Sequence, residues 1–252
     1  MSVSTITPGN MRDMEKKFMQ ETGYPGLLLM EHAAQAVVHA LLQFTHHTAL
    51  FLCGTGNNGG DGMAAARLFA QAGGTPIVWL CGKLDALQHD ARINGLLLKP
   101  LGIDTKELEE ELPEMPISCD AVVDALFGTG LTRPLGGIER RVVSCISSWN
   151  IPVISIDIPS GVDAETGEDG GCAIHATLTV TFHRAKPGHY LYPGRQWTGR
   201  LVVADIGIPQ TPEQGDGPIL WTDEDIMRLL PPRAPDAHKG TFGHALIIAG
   251  SM

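Results

Sequence analysis

The sequence predicts an α/β protein: a mostly parallel sheet between two layers of helix, preceded by two N-terminal helices. Three observations carry this. Short, near-continuous apolar runs alternate with stretches of helical periodicity, as parallel strands covered on both faces require. A glycine-rich loop, Gly54-Thr55-Gly56-Asn57-Asn58-Gly59-Gly60-Asp61-Gly62, joins the first apolar run to a helical stretch. Two later runs end in an aspartate, Asp124 and Asp157, at the strand end where open α/β sheets bind ligands. Together these describe a Rossmann-like three-layer αβα sandwich.

Taken in order, the first element is a helix. Pro8 suits its first turn, and Met11, Met14, Phe18 and Met19 recur at helical spacing until Gly23 and Pro25-Gly26 interrupt. A second helical run covers Leu27–Phe44, with Met30, Ala34, Val37, Val38, Leu41 and Leu42 on one face; its methionines read as core filling. The predicted strands are Leu50–Cys53, Pro76–Cys81, Ala121–Leu126, Val153–Asp157, Leu178–Phe182 and Leu201–Asp205. The predicted helices between them are Gly62–Ala72, Asp85–Leu98 and Ile138–Ser148. No clear helix separates the last two strands, so that edge is expected to be irregular. Composition shifts after Ile208-Pro209, where Gln210–Pro218 is rich in Pro, Gly and acid. Residues 1–209 therefore read as one domain and 210–237 as a linker. The tail, 238–252, carries a glycine-punctuated apolar run, Ala245–Gly250, which reads as the opening of a second domain or as an extra edge strand.

The bulk properties exclude several classes. A formal charge of −10 argues against a nucleic-acid partner, and a phosphate ligand would need backbone amides and local cations. The five cysteines are odd in number and contain no C-x-x-C pair, which points to a reducing compartment, without a disulfide frame or zinc site. The N-terminus lacks a signal-peptide pattern, and no apolar run approaches the roughly 18 residues of a membrane span, so a cytoplasmic location is expected. The ten histidines lack H-x-H and H-E-x-x-H spacing, which argues against a transition-metal site. Ser160 lacks the G-x-S-x-G elbow of a serine hydrolase.

What remains is a nucleotide-type crevice. The loop matches G-x-G-x-x-G at Gly54, Gly56 and Gly59, and a strand–loop–helix unit aims backbone N–H groups at a phosphate. A dehydrogenase would also need a ribose-binding acid about 20 positions on. Here the second strand ends Leu80-Cys81-Gly82-Lys83, and Asp85 falls outside it. Asn57, Asn58 and Asp61 add polar groups that a plain pyrophosphate turn does not need; the bland alternative is a tight turn N-capped by Asp61. Asp124 leads into Gly128-Thr129-Gly130-Leu131-Thr132-Arg133-Pro134, where Arg133 is either a phosphate-binding cation or one half of a surface ion pair. Asp157 closes a run of isoleucines, a costly place for an acid without a partner or a task, unless it caps the next turn. Lys186 follows a strand and either reaches the same crevice or is solvated.

At these residues the sequence resembles the NAD(P)H-hydrate epimerase family. The matching pieces are Asn57–Gly62, Asp124 with Gly128–Pro134, Asp157-Ile158-Pro159-Ser160-Gly161, Leu29–Ala34 and Lys186-Pro187-Gly188, within roughly residues 8–208. The tail resembles the opening of the ADP-dependent hydrate dehydratase domain, of ribokinase-like fold, that is fused behind the epimerase in many bacterial proteins. The resemblance implies a dinucleotide substrate, hydrated NADH or NADPH (NADHX or NADPHX), whose R and S epimers at C6 are interconverted. It implies substrate contacts at Asn57, Asn58, Gly59, Gly60 and Asp61, at Gly128, Thr129, Gly130, Leu131, Thr132, Arg133 and Pro134, and at Asp157. It also implies a potassium ion near Asn58, Asp124 and Ser160, whose oxygen donors suit a hard cation. C6 of the hydrate is a hemiaminal, so loss of hydroxyl to an iminium and re-addition of water needs an acid and a base. Asp157 is the candidate, assisted by Lys186 or Asp61, on the expectation that its apolar setting raises its pKa. The N-terminal helices are candidates for a homodimer face. Two other readings stay open: a non-catalytic nucleotide-binding scaffold and an NAD(P)-dependent dehydrogenase.

Overall fold

The computed structural model describes residues 3–112, 118–131, 133–209, 215–230, 235–238, 240–241, 246–247 and 250. They fall into two units, one covering Ser4–Pro218 and a small one comprising Val3 and the described residues from Ile219 onward.

The large unit is built on a seven-stranded sheet whose strands, from edge to edge, are Thr105–Leu108, Thr75–Cys81, Thr48–Cys53, Ala121–Ala125, Val153–Ile156, Leu178–Phe182 and Arg200–Ala204. After a short strand β1 (Val3–Ser4) come helices α1 (Pro8–Thr22) and α2 (Gly26–Leu41). The strands are β2 (Thr48–Cys53), β3 (Thr75–Cys81), β4 (Thr105–Leu108), β5 (Ala121–Ala125), β6 (Val153–Ile156), β7 (Leu178–Phe182) and β8 (Arg200–Ala204). Every neighbouring pair is parallel. Between strands lie α3 (Asn57–Gln71), α4 (His89–Leu98), α5 (Gly137–Ile146) and the one-turn α6 (Gly194–Thr198). From β2 the chain runs outward to β3 and β4, then crosses back to β5 on the other side. The β2/β5 boundary is therefore the switch point at which open α/β sheets form a ligand crevice.

Side-chain alternation along β2 shows why the sheet has two cores. Ala49, Phe51 and Cys53 join a cluster with Met11, Val37, Met63, Ala91 and Leu98, from α1 to α4. Leu50 and Leu52 face the opposite way and pack with Ile138, Val142, Val143 and Ile146 of α5. A period of two along a strand buried on both faces gives this division. Burying each such Leu, Val or Phe contributes about 1.5–3 kcal/mol.

Besides shifts of one to three residues at several element ends, four features depart from expectation. The sequence predicts a helix from Gly62, yet α3 begins at Asn57 with Gly56 as N-cap, so most of the glycine loop is helix. Asn and Gly are weak helix formers, but close packing overrides propensity here. A Cβ at Gly59 would run into the Gly54 carbonyl, and one at Gly60 would lie 2.9 Å from Ala91 Cα. β4, of sequence Thr-Lys-Glu-Leu, is an edge strand without an apolar run to announce it. β6 stops at Ile156, because Asp157 turns away with φ of +66°. The predicted helix over Asp85–Leu98 is split into a 3₁₀ turn, Leu84–Ala86, and α4. The irregular edge is as expected, with a 3₁₀ turn at Pro187–His189 and α6 between β7 and β8.

The small unit contains β9 (Ile219–Leu220) and α7 (Asp223–Leu229), which is N-capped by Thr222 in a capping box with Asp225. Both fall in the segment read as a linker. Half of the strand expected at Ala245–Gly250 lies outside the described residues; Leu246 and Ile247 are exposed and not in a strand. Among the described residues no helix is long and apolar enough to cross a membrane.

Candidate active site

A cavity of about 480 Å³ opens at the switch point. Its walls are Met11, Arg12 and Glu15 of α1, Thr55–Asn58 and Asp61 at the start of α3, Leu126–Leu131 after β5, Asp157 after β6, and Phe182 and Lys186 after β7. The N-terminus of α3 thus faces the cavity, presenting unpaired N–H groups and the positive helix end to an anion.

Asp157 and Lys186 meet in its floor. The Asp157 N–H still bonds the Val180 carbonyl, 2.8 Å away, and the Ile158 N–H then closes a three-residue turn onto Ile156 O. The same turn recurs after β7, where His183 has φ of +60° and the Arg184 N–H bonds Phe182 O. Positive φ is uncommon for residues other than glycine, and such strain gathers at functional sites. The turn directs the Asp157 carboxylate at three donors: Lys186 Nζ at 2.7 Å, Thr181 Oγ1 at 3.2 Å and the Thr129 N–H at 3.0 Å. Lys186, only 1 % exposed, also donates to Thr181 Oγ1 and to the Phe182 carbonyl, which uses all three of its N–H bonds. It is not a solvated lysine.

The sequence predicts a raised pKa for Asp157, and the structure reverses that. Burial does push the carboxyl up, but the Lys186 ammonium, its hydrogen bond and the Thr129 N–H pull it further down, to a net value below the usual range. Asp157 is held as a carboxylate.

His189 ties the pair together from behind. Its Nδ1 accepts the Lys186 N–H at 2.9 Å, so Nε2 carries the proton and donates to the Asp157 carbonyl at 2.8 Å. Burial first, then the Lys186 charge, lower its pKa to about 4, so the ring is neutral.

Asp124 has a different setting. It is fully buried, and its carboxylate accepts from Ser155 Oγ at 2.8 Å, Ser160 Oγ at 2.6 Å and the Ser160 N–H at 2.9 Å. Desolvation raises its pKa against those hydrogen bonds. Ser160 Oγ also lies 3.2 Å from the Phe127 carbonyl, which brings three kinds of oxygen together. Asn58 stands nearby: a Cβ on Gly128 would lie 3.0 Å from its Oδ1 and 2.9 Å from Asp157 Oδ2. The Asn58 Nδ2 is buried without a hydrogen-bond partner, a free donor suited to an acceptor group. All-oxygen donors with one carboxylate suit a hard cation. Among the described residues no cluster of three or more His, Cys, Asp or Glu is placed to hold a metal.

Two further carboxyls face the cavity without an ion-pair or hydrogen-bond partner among the described residues. Burial raises Glu15 to about 7, against the Lys186 charge and with the Asp157 charge. Burial raises Asp61 well above the usual carboxylate range, reinforced by the Asp157 and Glu15 charges.

The other expected residues divide. Asn57, Asn58, Asp61, Gly128, Thr129, Gly130 and Leu131 line the cavity. Gly59 and Gly60 do not; they let α3 pack closely. Asp61 lies inside α3 and does not cap it. Arg133 and Pro134 line a smaller adjoining cleft of about 140 Å³, where Arg133 stands 3.8 Å from Glu139 and over the Phe127 ring. Thr132 lies outside the described residues. Sequence reasoning missed Glu15, Thr181 and the role of His189. Glu15 carried a usable signal: it sits one helical turn from Met11, on the face of α1 turned inward.

Comparison with known proteins is consistent with this geometry. The profile of the family described as YjeF-related protein N-terminus matches residues 26–188. An NAD(P)H-hydrate epimerase of Limosilactobacillus fermentum is 36% identical over 213 residues, covering 81% of this chain and 98% of that protein. One from Rhodobacter capsulatus is 40% identical over 197 residues, covering 73% and 90%. A bifunctional NAD(P)H-hydrate repair enzyme of Thermofilum pendens is 38% identical over 257 residues, covering all of this chain and 48% of its own length. The chain thus spans about half the length of the bifunctional relatives it matches. The crystal structure of yeast ynu0 shares the fold, with a TM-score of 0.69 at 21% identity over 88% of this chain and 98% of that one.

Proposed function

This chain belongs to the YjeF-related N-terminal family, and on that premise we propose that it epimerises hydrated NADH and NADPH at C6 of the nicotinamide ring. The observation that carries the reading is the buried Asp157–Lys186 pair opening into a cavity that also holds the N-terminus of α3. The helix end and Gly128–Leu131 suit the diphosphate and ribose of a dinucleotide, and the carboxylates suit the ring.

C6 of the hydrate carries a hydroxyl beside N1. The N1 lone pair expels it as water once a proton arrives, and a planar iminium forms. Water then adds to either face and gives up a proton. An anionic Asp157 stabilises the iminium charge and accepts a proton from the entering water, while Lys186 keeps the carboxylate ionised and aimed.

Potassium is part of the proposal. Asn58, Asp124 and Ser160, with the Phe127 carbonyl, are the residues that would hold it, and the gathering of carboxylate, hydroxyl and carbonyl oxygens at Asp124, Ser160 and Phe127 supports this. Bound there, the ion supplies a fixed positive charge beside an anionic substrate.

The test is chiral-resolving chromatography of R-NADPHX incubated with the chain, with potassium or a large inert cation present. Formation of the S epimer faster than the uncatalysed background is expected, with the rate reduced when potassium is replaced. Substrate binding without acceleration would replace this reading by a nucleotide-binding scaffold.

A further inference from the structure

The epimerisation needs a proton donor as well as a base, and Asp157 is committed as a carboxylate by Lys186. Lys186 has all three N–H bonds occupied. We infer that Glu15, projecting from α1 into the cavity, is the proton donor to the departing hydroxyl, with Asp61 as the carboxyl that shares and returns its proton.

The inference rests on the proposed epimerase reading and on three features of the site. Glu15 interrupts the inward face of α1, where Met11 is buried one turn before it and Phe18 packs on the core one turn after. A carboxyl placed there for stability would be paired with a cation, yet Glu15 has no ion pair or hydrogen bond among the described residues. Its neighbour Arg12 is exposed at the rim. Asp61 enters the same cavity from α3, also unpaired, so the two carboxyls bring uncompensated acid groups to the space a substrate would fill. The charged groups around Glu15 are Lys186, Asp157, Asp61 and Arg12, and their balance with burial leaves Glu15 able to hold a proton near neutral pH. A donor working near its own pKa is the efficient case.

The proton balance closes. Glu15 gives its proton to the C6 hydroxyl oxygen, the C6–O bond breaks, and its electrons leave with water as the N1 lone pair forms the C6=N1 iminium. A water molecule adds to the other face, its oxygen bonding C6, while the iminium electrons return to N1. Its surplus proton passes to Asp157 and then, through Asp61, back to Glu15. No oxidant or reductant is consumed.

The experiment compares the full chain with its Glu15→Gln and Glu15→Asp variants in the R-to-S assay across pH 5 to 9, alongside a carbon-13 carboxyl titration of the unaltered protein. Glu15→Gln is expected to lower kcat about 100-fold with little change in KM, and to remove the high-pH limb of the rate profile, which Glu15→Asp should retain. A glutamate carboxyl in the unaltered protein should titrate near 7. If the unaltered chain epimerises while Glu15→Gln keeps its rate and profile, this inference fails and the epimerase reading stands. An unaltered chain that does not epimerise overturns both. A titration with every glutamate midpoint between about 4 and 5 overturns the role of Glu15 even if the variants do not fold.

Discussion

The Lys186 ammonium lies 2.7 Å from the Asp157 carboxylate in the floor of a cavity at the switch point of the sheet. Each group makes the other tolerable there. Removing one strands the other charge away from water, which costs about 3–5 kcal/mol. Lys186→Met should therefore lower stability by roughly that amount, read from urea denaturation at pH 7. A loss below about 1 kcal/mol would mean the pair is wetter than its burial indicates.

His189 and Glu15 set opposing pH dependences. The folded pKa of His189 is lowered to about 4 from 6.5, so its stabilising contribution is complete above 6.5 and is lost as pH falls toward 4. Glu15 is raised from 4.5 to about 7, so its contribution is complete below 4.5 and is lost as pH rises toward 7. The two slopes oppose each other between about 4.5 and 6.5. Glu15→Gln should unmask stability that rises with pH, and His189→Gln should unmask stability that falls. Unfolding free energies at half-unit pH steps check both signs. Glu15→Gln should also be the more stable protein at pH 8, by on the order of 2 kcal/mol, while being the slower enzyme.

Asp124 locks the ends of β5 and β6 through Ser155 and Ser160. Asp124→Asn keeps one acceptor oxygen and turns an N–H₂ toward groups that are themselves donors. A loss of about 2–3 kcal/mol is expected from thermal or chemical unfolding. Any stabilisation of the protein by added potassium should disappear in the same variant, measured as the shift in midpoint between potassium and a large inert cation.

Gly128 leaves room for two side chains at once. A methyl there would come within 2.9 Å of Asp157 Oδ2 and 3.0 Å of Asn58 Oδ1. Asp157 is clamped by Lys186 and cannot yield freely. Gly128→Ala should fold with near-normal stability and lose about 10–100-fold in kcat/KM, since small displacements of reacting groups have effects of that size. Unchanged kinetics would show that Asp157 moves freely in the site.

Much of the site was legible because strand ends can be read from sequence. Asp124 and Asp157 each close an apolar run, and a parallel sheet carries such ends to one edge. The asparagines and glycines after β2 marked a ligand-facing turn between strand and helix. Other features gave no local signal. Thr105–Leu108 is polar and becomes a strand only because β3 offers it an edge. The start of α3 moved because Gly59 and Gly60 serve close packing, which propensity does not register.

By itself, the sequence determined the parallel α/β architecture and placed Asp124 and Asp157 at strand ends, since period-two and period-3.6 patterns reflect local backbone geometry, and it left Lys186 open between the crevice and solvent. Only the tertiary structure decided their charges. Asp157 looked like an acid made weak by its apolar strand, and became a firm carboxylate because Lys186, 29 positions later, packs against it. Glu15, which drew no reading in the sequence, became the carboxyl that ionises near neutrality because the first helix folds over the cavity. Protonation depends on burial and on charges brought together from distant parts of the chain, so only the folded molecule sets it.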